Sequence, residues 1–382
     1  MFNSYRKAFL YLSNVILRTS TTPKLPIILQ SNPSTFSLKY STSTSDSQSF
    51  TVDYLIKKFG FSPETALSAT KRVHFDNSKK PDSVITLFKS HGFSNAQISN
   101  IIRREPNLLI SDPDKTILPK FEFFRSKGAS RSDIIQIFTA DPSLLARSLE
   151  GCFIPFYESL KRFLLSDQCI TKTVKYYTHI VGHSHRTTHN VQVLLDNGMP
   201  DKKIAFLLSH WPRAVDMQTD VFKKVVDDLK ELGMEPSKSI FLVALLAKSS
   251  GKTTWERKID LFKRWGWSEE VIVSTFTKYP WIMLVSEGKL AAVKDYSVTR
   301  MGWDSMLLAR YPNIFSRSLE KSIIPRHSVL QVLVSRGLIE DDKSFSPFRA
   351  SEKAFRQRYV NCFKEEAPEL LKLYEEKRNL SQ

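Results

Sequence analysis

Cysteine is scarce in this chain. Cys152, Cys169 and Cys362 are its only three in 382 residues, far apart and without any CxxC spacing. That argues against a disulfide framework or a structural zinc site and points to a reducing compartment. Long apolar runs are also missing: none reaches the roughly 18 residues that a membrane-spanning helix needs, so no membrane partner is expected. No paired carboxylates, nucleophile elbow or Ser/Cys–His arrangement stands out, and we expect neither an enzyme nor a cofactor. Acidic residues are outnumbered, 39 against 56 Lys and Arg, which leaves a net charge of +17. Such a balance calls for an acidic partner, nucleic acid before anionic membrane.

Acids are rarest at the N-terminus. Residues 1–49 hold five Lys/Arg (Arg6, Lys7, Arg18, Lys24, Lys39), 17 Ser/Thr and one acid, Asp46. Phe2, Tyr5, Phe9, Leu10, Leu12, Ile16 and Leu17 place an apolar face beside Arg6, Lys7 and Arg18. Basic, Ser-rich and acid-poor is the composition of an organelle transit peptide, the alternative being an ordinary disordered tail. The remaining 51 basic and 38 acidic residues still leave +13, so the basic balance belongs to the folded part.

Glycine is infrequent, 12 residues in all, yet it falls at regular intervals. The stretch Gly92 to Ile110, GFSNAQISNIIRREPNLLI, reads as a helical half-unit. Ser94 and Gln97 make a capping box, Ile98, Ile101 and Ile102 make an amphipathic stripe, and Pro106 stops the helix. Gly128 to Ala146 repeats it with the same Gly-to-Pro spacing of 14, as do Gly198 to Pro212 and Gly266 to Pro280. Further marks stand at Gly60, Gly233, Gly302 and Gly337, and a unit without its glycine fits near Leu165 to Ile180. Eight periods over 277 residues give about 34.6 per unit, within the range of α-solenoid repeats.

A second proline follows Pro106, Pro142 and Pro312 at a spacing of 13: Pro119, Pro155 and Pro325. Ile/Leu-Pro here reads as the first turn of the unit's other helix, where a missing N–H costs nothing. Val225 and Val293 hold that place in two other units, the Gly233 unit lacks its closing proline, and the Gly302 unit has a helix one turn shorter. We therefore expect an all-α protein of about eight to nine helix-pair repeats over residues 50–340. The Glu- and Lys-rich residues 341–382 should follow as charged capping helices.

The repeated GhSxxxIxxIxxxxPxLL frame resembles the mitochondrial transcription termination factor (mTERF) family, and in particular its plant branch. The resemblance rests on FTVDYLIKKFGFSPETAL, KKPDSVITLFKSHGFSNAQIS, LPKFEFFRSKG, TTWERKIDLFKRWGWSEEVI and SLEKSIIPRHSVLQVLVSRGLI, in that order. It implies a right-handed α-solenoid whose basic inner path follows a nucleic-acid backbone in mitochondria or, alternatively, chloroplasts. The roles implied are transcription termination or initiation, or RNA processing such as intron splicing.

The residues make their own case for nucleic acid. Arg104, Lys278 and Arg310 lie two before the closing proline, with His210 in the same place and Ala140 as the exception. Lys120, Lys294 and Arg326 follow the Ile-Pro position by one, and Lys115, Lys289 and Lys321 precede it by four. Equivalent positions stack into lines in a solenoid, so these nine, with Arg213, are the expected phosphate contacts and Trp211 the expected stacking residue. Cations near a helix C-terminus also complement its dipole, which is the competing account of each. The resulting reading is a monomeric grip on organelle double-stranded DNA. Structured RNA is the alternative, and a scaffold for an acidic protein is the reading from another class. A pentatricopeptide-type RNA reader shares the period, but it needs small polar code residues where this chain has Lys and Arg.

Other signals carry less. His179, His183, His185 and His189 have metal-like spacing, but Gly182 interrupts the helix and the nearest carboxylate in sequence is Asp196. We read them as a phosphate-facing patch or a plain loop. Gly251-Lys252-Thr253 imitates the end of a phosphate-binding loop, yet Leu246 stands where its first glycine belongs. Trp265, Trp267, Trp281 and Trp303 fall at apolar repeat positions and are assigned to the core.

Overall fold

At Gly92 the backbone adopts φ +86°, a conformation costly for any residue with a Cβ, and the chain turns from one helix into the next. The turn delivers Ser94 as an N-cap. Its hydroxyl accepts from the Gln97 N–H at 3.2 Å, and the Gln97 side chain accepts from the Ser94 N–H at 2.8 Å. The helix Asn95–Arg104 follows and buries Ile98, Ile101 and Ile102. Pro106 ends it and opens a 3-10 turn, Pro106–Ile110, which sinks Leu108 and Leu109 into the core. The expected half-unit is thus present in full, caps included.

The computed structural model describes residues 46–340 and 345–379. Among the described residues every regular element is helical. Ser130 and Ser268 cap Arg131–Ala140 and Glu269–Lys278 as Ser94 caps its helix, and 3-10 turns follow at Pro142–Ala146 and Pro280–Leu284. The second helices Leu118–Ser126, Ile154–Lys161 and Ile324–Ser335 carry Pro119, Pro155 and Pro325 in their first turns. One apolar cluster runs from Leu55 to Phe348 without a break, as expected of stacked units in an α-solenoid. Trp267 and Trp303 lie in it at 2% and 3% exposure, and Trp265 stacks on Phe315.

The irregular units keep the frame by local means. In the unit without a glycine, Ser166 caps Asp167–Tyr176, and a short helix His179–Gly182 replaces the proline turn. In the Gly302 unit the first helix, Ser305–Arg310, has 6 residues where others have 10. The Gly233 unit departs most. Its first helix, Ser239–Lys248, is apolar nearly all round, and Lys252–Arg264 begins after only Ser249, Ser250 and Gly251 (φ +90°), without a 3-10 turn. At the other end, Leu370–Asn379 lies on Ile324–Ser335 around Val329, Leu333, Phe355 and Tyr374. The residues expected to form the transit peptide lie outside the described residues up to position 45, and the first described helix, Asp46–Phe59, starts just beyond.

Candidate nucleic-acid interface

The stacked units send the ten cations expected at phosphates to three kinds of place. Lys278 and Arg310, each in the last turn of a first helix, are exposed and make no ion pair or hydrogen bond among the described residues. Lys321 and Arg213 are exposed as well, and Lys115 has only a loose 3.9 Å approach to Asp112. Lys294 is half-buried. Arg104 is exposed but occupied, because its guanidinium donates to the Ala140 carbonyl of the next unit at 2.8 Å.

Three others turn inward, which corrects their expected role. Lys120 is 4% exposed and donates to the Thr116 carbonyl, and burial pushes its pKa down. Arg326 is 2% exposed and donates to the carbonyls of Pro347 and Ala350 at 2.9 and 2.8 Å. Lys289 is half-buried and donates to the Ser316 carbonyl at 3.2 Å. Lys120 closes the short helix Pro113–Thr116 that leads into its own helix, and Arg326 closes the short helix Ser346–Arg349; for Lys289 the physical reason is the proline turn of the next unit. A 3-10 helix a single turn long leaves its last carbonyls without partners, and buried carbonyls must find donors. A long polar side chain from the preceding unit's second helix reaches across and supplies them.

The same device uses two residues that sequence reasoning passed over. Lys258, 5% exposed, donates to the Met283 and Val285 carbonyls of the Pro280 turn, the latter at 2.6 Å. Burial pushes its pKa down to about 8. Asn190, fully buried, donates to Val215 and Met217 at 2.9 and 2.7 Å in the Pro212 turn. Their signal was available: each is a polar residue at a stripe position, Lys258 between Trp255 and Phe262, and Asn190 between Thr187 and Leu194.

A second set of links joins successive first helices. Arg72 donates to the Arg104 carbonyl at 2.8 Å, Arg104 to Ala140, Tyr177 to His210 at 3.4 Å and Thr275 to Ala309 at 3.3 Å. Each acceptor is a C-terminal helix carbonyl, so at Arg104 the dipole-complementing account is the one the geometry supports.

The histidines also differ from expectation. Asp216, not Asp196, is their carboxylate: His179 and His183 approach it at 3.4 and 3.0 Å, and Arg186 at 2.7 Å. Gly182 does not leave a loop, because His179–Gly182 and Ser184–Asp196 meet at His183. Asp216 pins these two helices to the end of the Pro212 turn. Trp211 is half-buried, edge-on to Phe206 at 4.9 Å and to Trp281 at 5.8 Å, so its ring already has aromatic neighbours. Tyr176, at the place equivalent to Arg104 in the unit without a glycine, is 58% exposed instead.

The profile of the mTERF family matches residues 85–249 and 240–356, which between them take in more than half of the chain. No curated protein matches it. The matched region contains the glycine turns from Gly92 onward, the proline turns and their carbonyl donors. The chain belongs to the mTERF family.

Proposed function

We propose that this protein is a non-catalytic organelle factor that regulates transcription by gripping double-stranded DNA through the cations its repeats leave free. Membership of a family of organelle nucleic-acid-binding regulators and the net charge of +17 set the partner class. The observation that carries the reading is the state of Lys278, Arg310 and Lys321. They come from neighbouring units and stand exposed without a partner among the described residues, while Lys120, Lys258 and Arg326 are sunk in the core. Exposed cations with no structural task suit phosphates, and Lys115, Arg213 and Lys294 extend the set. The N-terminal segment 1–49 directs the protein to the mitochondrion on this reading, and the plant-branch resemblance supports an organelle address.

The test is anisotropy of a labelled duplex of about 30 base pairs and of a hairpin RNA, titrated from about 50 to 200 mM salt. Changing Lys278, Arg310 and Lys321 together to Ala should flatten the log–log salt slope by about 2–3 with little change in melting temperature. An unchanged slope removes these residues from the interface. Tighter binding of the hairpin than the duplex replaces transcriptional control with RNA processing.

A further inference from the structure

The unit without a glycine is set apart by what it buries. Five before the closing proline of other units stand Ile101, Ile137 and Leu207, all fully buried. In this unit Thr178 takes the place of the proline, and Thr173 holds the position of those aliphatic residues. Thr173 is 2% exposed, and its hydroxyl has no hydrogen-bond partner among the described residues. Thr275, at the same position before Pro280, shows how such a hydroxyl can be satisfied: it donates to the Ala309 carbonyl of the next unit at 3.3 Å. The second helices repeat the contrast. Ile117 and Phe222, each 11 before a turn glycine, are fully buried. Thr187 stands 11 before Gly198, equally deep, with its hydroxyl unpaired. Thr171, beside Thr173, buries a third such hydroxyl.

Two physical effects follow. These hydroxyls gave up water on folding and gained no protein partner, so opening the unit to solvent returns their hydrogen bonds. A threonine also buries less apolar surface than the Ile, Leu or Phe found at the matching positions. Opening therefore costs less here than in the units that carry those residues. Apolar surface nearby does not compensate, because Leu165 is 99% exposed and Tyr176 58%. The turn between the two helices is sound: His179–Gly182 buries Ile180 and Val181, and Asp216 holds His179 and His183. The path of the chain is kept while the helices around it are weakly held.

We propose that residues 166–196 form a hinge at which the array bends between two stiffer arms, residues 46–163 and 201–340. Units of a solenoid contact only their neighbours, so a change of angle at one joint carries a whole arm with it. The device is a soft polar core inside a helix pair, a local opening of low free energy in an otherwise well-packed array. Lys115 lies on the first arm, and Arg213, Lys278, Lys294, Arg310 and Lys321 lie on the second. Bending at the joint moves the first set against the second, but the hinge itself does not depend on what those cations bind.

Native-state hydrogen exchange of the full chain, read by mass spectrometry without nucleic acid, tests the softness. Amides of Asp167–Tyr176 and Ser184–Asp196 should exchange roughly tenfold or more faster than those of Asn95–Arg104 and Glu269–Lys278. Bending is read by double electron–electron resonance between nitroxides on genetically encoded side chains, which leaves the native cysteines in place. Labels replacing Lys89 and Lys263, one exposed position on each arm, should give a wider distance distribution than labels replacing Lys223 and Arg300, both exposed on the second arm. Thr173→Val combined with Thr187→Val removes two unpaired hydroxyls, and it should slow exchange in the unit and narrow the first distribution. Equal protection in all four helices overturns the hinge, as does a distribution across the joint no wider than the control. A folded double variant that changes neither readout overturns it as well. Should the double variant fail to fold, the two measurements on the otherwise native chain decide alone.

Discussion

Lys258 and Lys278 both sit on amphipathic helices, and burial gives them opposite tasks. Lys258 faces two carbonyls of a 3-10 turn, and Lys278 faces solvent. Lys258→Met should therefore leave both carbonyls unpaired and cost about 1–3 kcal/mol in urea unfolding. Its titration adds a sign. The folded-state pKa, near 8, lies below the ordinary lysine value of about 10.4, so across that window the unfolded chain holds a proton the folded chain has lost. Stability contributed at this site then rises with pH, starting near 8. The difference between wild type and Lys258→Met should be larger at about pH 9.5 than at about pH 7. A difference independent of pH would show that Lys258 is solvated. Among the cations, residue type and repeat position were legible in the sequence, but direction was not. Arg326 and Lys294 share one register position, yet one is buried in the core and the other only half-buried.

Units are joined at their turns, and Gly92 shows how closely. A Cβ there would lie 2.7 Å from Nε of Arg131, and Arg131 donates to the carbonyls of His91, at 2.7 Å, and Ser90. The arginine that opens Arg131–Ala140 thus closes the end of Lys79–Ser90, and a Cβ at position 92 would displace its guanidinium. Gly128 has the same kind of backbone, φ +79°, with nothing within 4 Å of its Cβ position. Gly128→Ala should cost about 1 kcal/mol from backbone strain alone. Gly92→Ala should cost roughly another 1 kcal/mol because it displaces those hydrogen bonds. Parallel thermal melts compare the two, and equal costs would mean that the Arg131 links contribute nothing. Helix starts, glycine turns and proline stops were readable because caps and φ preferences act within a few residues. The partners of these turns were not, since Ser90 and Arg131 meet only through stacking.

Across the whole array, each unit leans on its neighbours, so damage should stay local. A chain ending at Gly337 would uncover Val329 and Leu333, both fully buried, and strip Arg326 of its carbonyl and Glu352 partners. An uncompensated buried guanidinium beside exposed apolar surface destabilises strongly. We expect this truncation to aggregate, by light scattering, and to lose amide protection in Ile324–Ser335 while Asn95–Arg104 keeps its own. Uniform loss of protection would instead mean that the array unfolds as a single cooperative block.

The period, the all-helical class and the basic balance follow from local chemistry: apolar spacing, capping side chains, glycine, proline and a charge sum. They needed no tertiary knowledge, and they were enough to recognise the family. Stacking alone determined which cations remain free. Whether Lys258 or Lys289 reaches water or a carbonyl depends on the turn that the adjacent unit places above it.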